Sequence, residues 1–247
     1  MSWLKRVSAL SLAFLLSLIA YNGSVSEAKT LTDTAARPWI GFDESDNVFC
    51  SGNTEEKLIA LTFDDGPHPK YTKEILDILN EYGVKATFFV IGENAALYRD
   101  EIKRISDEGH ELGNHTYTHK NTASLSPAEL LSELKRTDSE IFGITGTHPR
   151  VFRPPEGKCT KAAVSCAAEL GYKIILWTVD PRDWACPTVS EMTDNILSNV
   201  RAGSILLCHD YNSAKRSPTP AALRRIIPEL IERGYGFVTV SELLGAV

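Results

Sequence analysis

Residues 58–247 read as one parallel α/β domain, either an open doubly wound sheet or a barrel. Two observations carry that reading. Apolar runs of strand length alternate strictly with segments of helical periodicity, and glycines or capping residues stand where the helices should end or begin. Composition permits a sizeable core, since 43% of the 247 residues are hydrophobic and 23% charged, enough apolar surface to offset the entropy of ordering. The net charge of −6 offers no basic stripe for phosphates, which argues against a nucleic-acid partner.

Seven strands are predicted, at Leu58–Phe63, Ala86–Ile91, Glu111–His115, Val151–Arg153, Lys173–Val179, Ser204–His209 and Phe237–Val240. Each is an apolar run bounded by turn residues. Helices are predicted between them at Thr72–Glu81, Ala95–Glu108, Pro127–Phe142, Thr160–Leu170, Val189–Val200 and Thr219–Arg233. Ser126 before Pro127, with Glu129 in the first turn, is a helix start. Gly83, Gly109, Gly171 and Gly234 follow helical runs, where a left-handed residue commonly ends a helix.

Residues 1–28 stand apart. Lys5 and Arg6 precede the apolar run Val7–Ala20, and Ser26-Glu27-Ala28 offers small residues for a signal peptidase, as expected of a secretory signal. The run is short against the roughly 20 residues that span a bilayer, so an uncleaved anchor is the lesser reading, and a membrane is a partner only in that case. Residues 29–57 are polar and aperiodic, an irregular lead-in to the domain at 58–247. In an exported chain Cys50, Cys159, Cys166, Cys186 and Cys208 become disulfide candidates. Cys159 and Cys166 could pair if the following helix starts late, while Cys208, inside an apolar run, reads as a buried thiol.

Ligand sites of parallel α/β folds form beyond the carboxyl ends of the strands. Five of the seven predicted strands end in ionisable groups there: Asp64-Asp65-Gly66-Pro67, His115 to His119, Arg153-Pro154-Pro155, Asp180 to Trp184 and His209-Asp210. So many partly desolvated charges are economical only if they bind a cation or pair with one another. One helical turn between His115 and His119 would place both imidazoles on one side, where they and a carboxylate could grip a metal and leave a coordination position open. Taken alone, that spacing also suits a solvated helical face. Asp64 and Asp65, being adjacent, point in different directions. One can ligate the metal while the other takes a proton from metal-bound water; an exposed turn is the plainer reading of the pair.

Thr62-Phe63-Asp64-Asp65-Gly66-Pro67, the His115–His119 pair, Arg153 with Pro155, the Asp180–Trp184 segment and Leu206-Leu207-Cys208-His209 together resemble, in order and spacing, the motifs of the polysaccharide deacetylases, the NodB-homology or carbohydrate esterase family 4 group. The resemblance spans about residues 55–245. It implies a distorted (β/α)7 barrel, a divalent metal, usually zinc with cobalt or manganese tolerated, and removal of N-acetyl groups from N-acetylglucosamine in peptidoglycan or chitin-like oligosaccharides. On that footing Asp64 is similar to the general base, Asp65, His115 and His119 to the metal ligands, and His209 to the general acid. Arg153 would hold Asp64, Asp180 would orient His209, and Asp183 would join the Arg153 network.

Backbone N–H groups near Pro155, Glu156 and Gly157 would face the oxyanion, and Trp184 with Leu207 would line an acetyl pocket, although plain core packing suits those two equally. The family usually carries Tyr where this chain has Glu156, a carboxylate beside a developing negative charge, which should slow the reaction or change the preferred substrate. Two alternatives share these residues: an esterase removing O-acetyl groups from xylan, and a non-catalytic carbohydrate-binding relative. The expected protein is a secreted or surface-associated monomer acting on an N-acetylated glycan of the cell wall.

Overall fold

The computed structural model describes residues 41–211 and 217–245; the expected signal segment lies outside them. In chain order the elements are β1 (Val48–Phe49), β2 (Leu58–Asp64), α1 (Tyr71–Tyr82), β3 (Thr87–Val90), α2 (Gly92–Leu97), α3 (Arg99–Asp107), β4 (Glu111–Asn114), α4 (Pro127–Thr145), β5 (Val151–Phe152), α5 (Lys161–Leu170), β6 (Lys173–Ile175), α6 (Val189–Asn199), β7 (Ile205–His209), α7 (Thr219–Glu232), β8 (Gly236–Val238) and α8 (Val240–Leu243). The strands form one sheet in the order β1-β6-β5-β4-β3-β2-β7, with β8 on β2. Every named pairing is parallel.

The sheet curls into the expected distorted barrel. β7 lies along one edge of β2, Ala60 to Asp64 facing Ile205 to His209; β3 and β8 share the other edge. A single parallel bridge between Val179 and Leu206 closes the ring, where Thr178 N–H donates to Ile205 O and Leu207 N–H to Val179 O at 3.0 and 2.9 Å.

Both faces of the sheet are buried, which is why the strands read as continuous apolar runs. On β2, Ile59, Leu61 and Phe63 pack outward among helix residues such as Ile75, Leu79 and Ile226, and Phe63 stacks on Phe88 at 5.0 Å. Each such buried side chain contributes about 1.5–3 kcal/mol. Ala60 joins a separate apolar cluster, with Phe89, Val151 and Ile205. The period of two therefore sends Thr62 and Asp64 inward at the carboxyl end.

Local signals act as expected at several ends. Ser126 and Glu129 form a reciprocal capping box on α4 with Pro127 in the first turn, and Gly83, Gly109, Gly171 and Gly234 all take positive φ. Four expectations need correction. The segment read as Ala95–Glu108 is two helices broken at Tyr98, whose φ of −116° and ψ of 57° are not helical. The strand read as Lys173–Val179 leaves the ladder after Ile175 and returns only at Val179. Within the segment read as irregular lead-in, Val48–Phe49 adds an edge strand to β6, too short for a periodicity signal. No bridge joins Cys159 and Cys166: α5 begins at Lys161 and both are buried thiols, as is Cys208.

Candidate metal centre and active site

Asp64 closes β2 in register with His209 on β7 and is buried, with 3% of its surface exposed. Asp65 then takes a φ of 75°, which turns its side chain away from the strand's alternation. The turn is held from two sides: Asn94 Nδ2 donates to Asp65 O at 2.7 Å, and Ile91 N–H to Gly66 O at 3.0 Å. Gly66 tolerates no side chain, since a Cβ there would lie 2.1 Å from Asp210 Oδ2.

His115 follows β4, its Nδ1 2.7 Å from Arg153 O. A carbonyl only accepts, so the ring proton sits on Nδ1 and the Nε2 lone pair is bare. That Nε2 lies 3.3 Å from Asp65 Oδ1 and 3.8 Å from Asp64 Oδ2. His119 Nε2 lies 3.1 Å from the same Asp65 oxygen, which is buried without a hydrogen-bond donor. An imidazole lone pair facing an orphaned carboxylate oxygen is repulsive unless a cation stands between them. The three donor atoms lie within 4.8 Å of one another, so this set fits one small divalent cation and leaves coordination positions open. Burial alone would raise the Asp65 pKa; when the two imidazoles carry protons on the facing nitrogens, standing where a cation would, they outweigh it and hold the carboxyl below its ordinary range. The histidines do not share a helical turn, as the spacing suggested. Residues 115–120 are irregular, with Thr116 and His119 at φ of 65° and 56°.

Arg153 has no exposed surface. Its Nη1 donates to Asp64 Oδ1 at 2.7 Å and Thr62 Oγ1 at 2.8 Å, while Nε and Nη2 donate to Ile175 O and Leu176 O, each at 3.1 Å. Only Oδ1 of Asp64 is engaged by the guanidinium, and Oδ2 faces the His115 imidazole.

The expected division between the two acids of the fifth loop does not hold. Asp183, not Asp180, holds His209: its Oδ1 is 2.7 Å from His209 Nδ1, and its Oδ2 accepts from His209 N–H at 2.8 Å and Thr219 Oγ1 at 2.7 Å. Arg182, at φ 58°, turns the chain so that Asp183 points back under the strand end. Asp183 takes no part in the Arg153 network. Burial disfavours a charged His209, but Asp183, with Asp65 and Asp64 behind it, pushes the pKa up to about 9. Asp180 lies on the cavity wall, its Oδ1 accepting from Arg182 N–H at 2.8 Å, and burial raises its pKa.

These groups surround a cavity of about 480 Å³ completed by Glu156, Trp177, Trp184 and Leu207. A second, of about 420 Å³, shares Asp65, His119, Trp184 and His209 and adds Glu93, Asn94 and Tyr211. Trp184 is half-exposed and Leu207 buried. Of the turn Pro155–Gly157, Glu156 alone lines the cavity. Pro155 has no N–H and Gly157 N–H donates to Pro154 O at 2.9 Å, so only the Glu156 N–H can serve the cavity. Its side chain accepts from Asn121 Nδ2 at 3.3 Å. His68, His110 and His148 stand outside the cluster: His68 Nδ1 accepts from the backbone of Lys70 and Tyr71, His110 Nδ1 from Ala86 N–H, and His148 pairs with Asp138.

Sequence reasoning missed Asn94, Trp177 and Glu133. Glu133 accepts three hydrogen bonds from Tyr117 and Thr118, inside the histidine loop. A signal for it exists: Leu130, Leu134, Thr137 and Ile141 form the buried stripe of α4, and Glu133 is the carboxylate on that stripe.

Comparison with known proteins agrees with this fold. The polysaccharide deacetylase family model matches residues 51–175. A peptidoglycan-N-acetylglucosamine deacetylase of Bacillus cereus is 44% identical over 191 residues, covering 76% of this chain and 89% of the relative. A chitooligosaccharide deacetylase of Bradyrhizobium is 38% identical over 190 residues, covering 72% and 87%. Among solved structures, a peptidoglycan N-acetylglucosamine deacetylase superposes with a TM-score of 0.80 at 36% identity, covering 83% of this chain and 95% of that one. With its parallel barrel and the residue set at the carboxyl ends of its strands, the chain belongs to the polysaccharide deacetylase family.

Proposed function

We propose that the chain is a hydrolase, dependent on a divalent cation, that removes N-acetyl groups from N-acetylglucosamine residues of peptidoglycan or chitin-like oligosaccharides. The observation that carries the reading is the convergence of His115 Nε2 and His119 Nε2 on one orphaned oxygen of Asp65, with Asp64 beside them on Arg153. Asp65, His115 and His119 would hold the cation, most simply zinc, with cobalt or manganese as substitutes. Once bound, it supplies a Lewis acid that polarises the acetyl carbonyl and acidifies water.

The remaining work falls to the chain's own groups. Asp64, held by Arg153 on Oδ1, has Oδ2 free to take the proton of the attacking water. The Glu156 N–H supports the oxyanion. His209, protonated and fixed at Nδ1 by Asp183, donates from Nε2 to the departing nitrogen, so that the amide yields acetate and a free amine. Trp184 and Leu207 enclose the acetyl methyl. The names of the relatives, peptidoglycan and chitooligosaccharide deacetylases, support the substrate class. They also suit an extracytoplasmic enzyme working on the wall, tethered if the N-terminal segment stays uncleaved. The pairings of Asp64 with Arg153 and of His209 with Asp183 beside the cation site favour turnover over a purely binding role.

Acetate and free amine released from peptidoglycan and N-acetylglucosamine oligomers, before and after treatment with a chelator, test the proposal. Release that a divalent cation restores is expected; no release with any cation overturns it. Acetylated xylan, assayed in parallel, distinguishes the esterase reading.

A further inference from the structure

We infer that Glu133 is a positioning residue for the cation site, acting through the loop that carries His119. The inference rests on the reading of Asp65, His115 and His119 as cation ligands. His115 is anchored by the sheet: its N–H donates to Val90 O at 3.0 Å and its Nδ1 meets Arg153 O. His119 lies four residues farther on, in irregular chain. Thr116 and His119 both take positive φ, a conformation that non-glycine residues hold only where the surroundings compel it.

The surroundings that compel it come from two helices. At the start of α2, Gly92 and Glu93 N–H donate to the carbonyls of Thr116 and Tyr117, each at 3.0 Å. From α4, a single oxygen of Glu133, Oε2, accepts from Tyr117 N–H at 2.9 Å, Thr118 N–H at 2.7 Å and Thr118 Oγ1 at 2.9 Å. Three donors on one oxygen suit a carboxylate, and bonds to a charged acceptor are the stronger kind. Glu133 is 8% exposed, so water does not readily replace those contacts. The helix beneath it is itself docked, since Asn114 bonds Leu134 O through Nδ2 and Thr116 N–H through Oδ1, both at 2.9 Å. The position of His119 is thereby set from α4, through a residue that touches neither the cation nor the substrate.

Cobalt(II) titrated into the full chain, followed by the visible absorption of the bound ion, tests this. Wild-type binding that His119→Ala weakens is the expected baseline. Absence of binding by the wild type would overturn the ligand reading itself, and this inference with it. Given that baseline, Glu133→Ala should raise the cobalt Kd about 10–100-fold, the usual effect of removing an outer partner of a ligand, and should alter the absorption band. In the His119→Ala background the same substitution should cost less than about 3-fold, because the ligand it places is gone. A folded Glu133→Ala variant with wild-type Kd and band overturns the inference, as does an equal loss in both backgrounds. Should Glu133→Ala fail to fold, Glu133→Asp keeps the charge but withdraws the oxygen from the loop. About a 10-fold weaker Kd is expected there, and a wild-type Kd overturns the inference.

Discussion

Arg153 meets Asp64 Oδ1 at 2.7 Å from a site with no solvent exposure. Such a pair is stable because three of the guanidinium's other four protons are also satisfied, by Thr62 Oγ1 and two backbone carbonyls. Removing one partner leaves the other buried and charged. Arg153→Ala should therefore destabilise the fold by about 3–5 kcal/mol, measured by urea unfolding. Asp64→Asn should leave cation affinity nearly unchanged and lower turnover by about 10²–10⁴-fold. Equal effects of Asp64→Asn and Asp65→Asn on cation affinity would show that the two acids do not divide their roles as proposed.

The Asp183 carboxylate raises the His209 pKa against the effect of burial. A general acid works only while protonated, so a higher pKa extends activity toward alkaline pH. In Asp183→Asn the alkaline limb of the kcat profile should move to lower pH, and turnover of the amide should fall more than that of an activated acetate ester, whose leaving group needs no proton. Asp180→Asn should leave the limb in place. If Asp180→Asn moves it and Asp183→Asn does not, the assignment of the orienting acid fails.

His110 offers a test far from the site. Burial, then the charges of Lys85 and Arg104, lowers its pKa to about 4, against an ordinary 6.5. Between those values the unfolded chain binds a proton that the native chain does not, so stability is complete above pH 6.5 and is lost as pH falls toward 4. The share from this residue is about 3 kcal/mol. Unfolding free energies at pH 7 and pH 4 should differ by about that much less in His110→Gln than in the wild type. The same pH dependence in both proteins would exclude His110 as its source.

A ligand that binds only the native state stabilises it by mass action, about 2.7 kcal/mol at a hundred times Kd. Zinc or cobalt at that excess should raise the melting temperature of the wild type and leave His115→Ala and Asp65→Ala unmoved. A similar rise in all three would place the bound ion elsewhere.

Much of the site was legible because strand ends are legible. Once Leu58 to Phe63 reads as a buried strand, Asp64 must sit at its carboxyl end, and its inward direction follows from the alternation through Ala60 and Thr62. The same logic marked Arg153 and His209. Asp180 and Asp183 were not separable, since the choice depends on the left-handed turn at Arg182, which nothing in the local sequence demands. The histidine spacing suggested a helix, yet the loop is shaped by donors and acceptors on α2 and α4, about fifteen residues or more away. Long-range hydrogen bonds of that kind leave no periodic trace. The two-residue strand β1 escaped for a simpler reason, because so short an element owes its existence to the edge of β6 on which it lies.

The guanidinium of Arg153 bonds the inward side chains of β2 and, across the lumen, the carbonyls of Ile175 and Leu176 where β6 departs from the ladder. One cation thus fixes both the orientation of Asp64 and the bore of the barrel at that level. Anyone wishing to retune the first by substitution at position 153 would have to redraw the second.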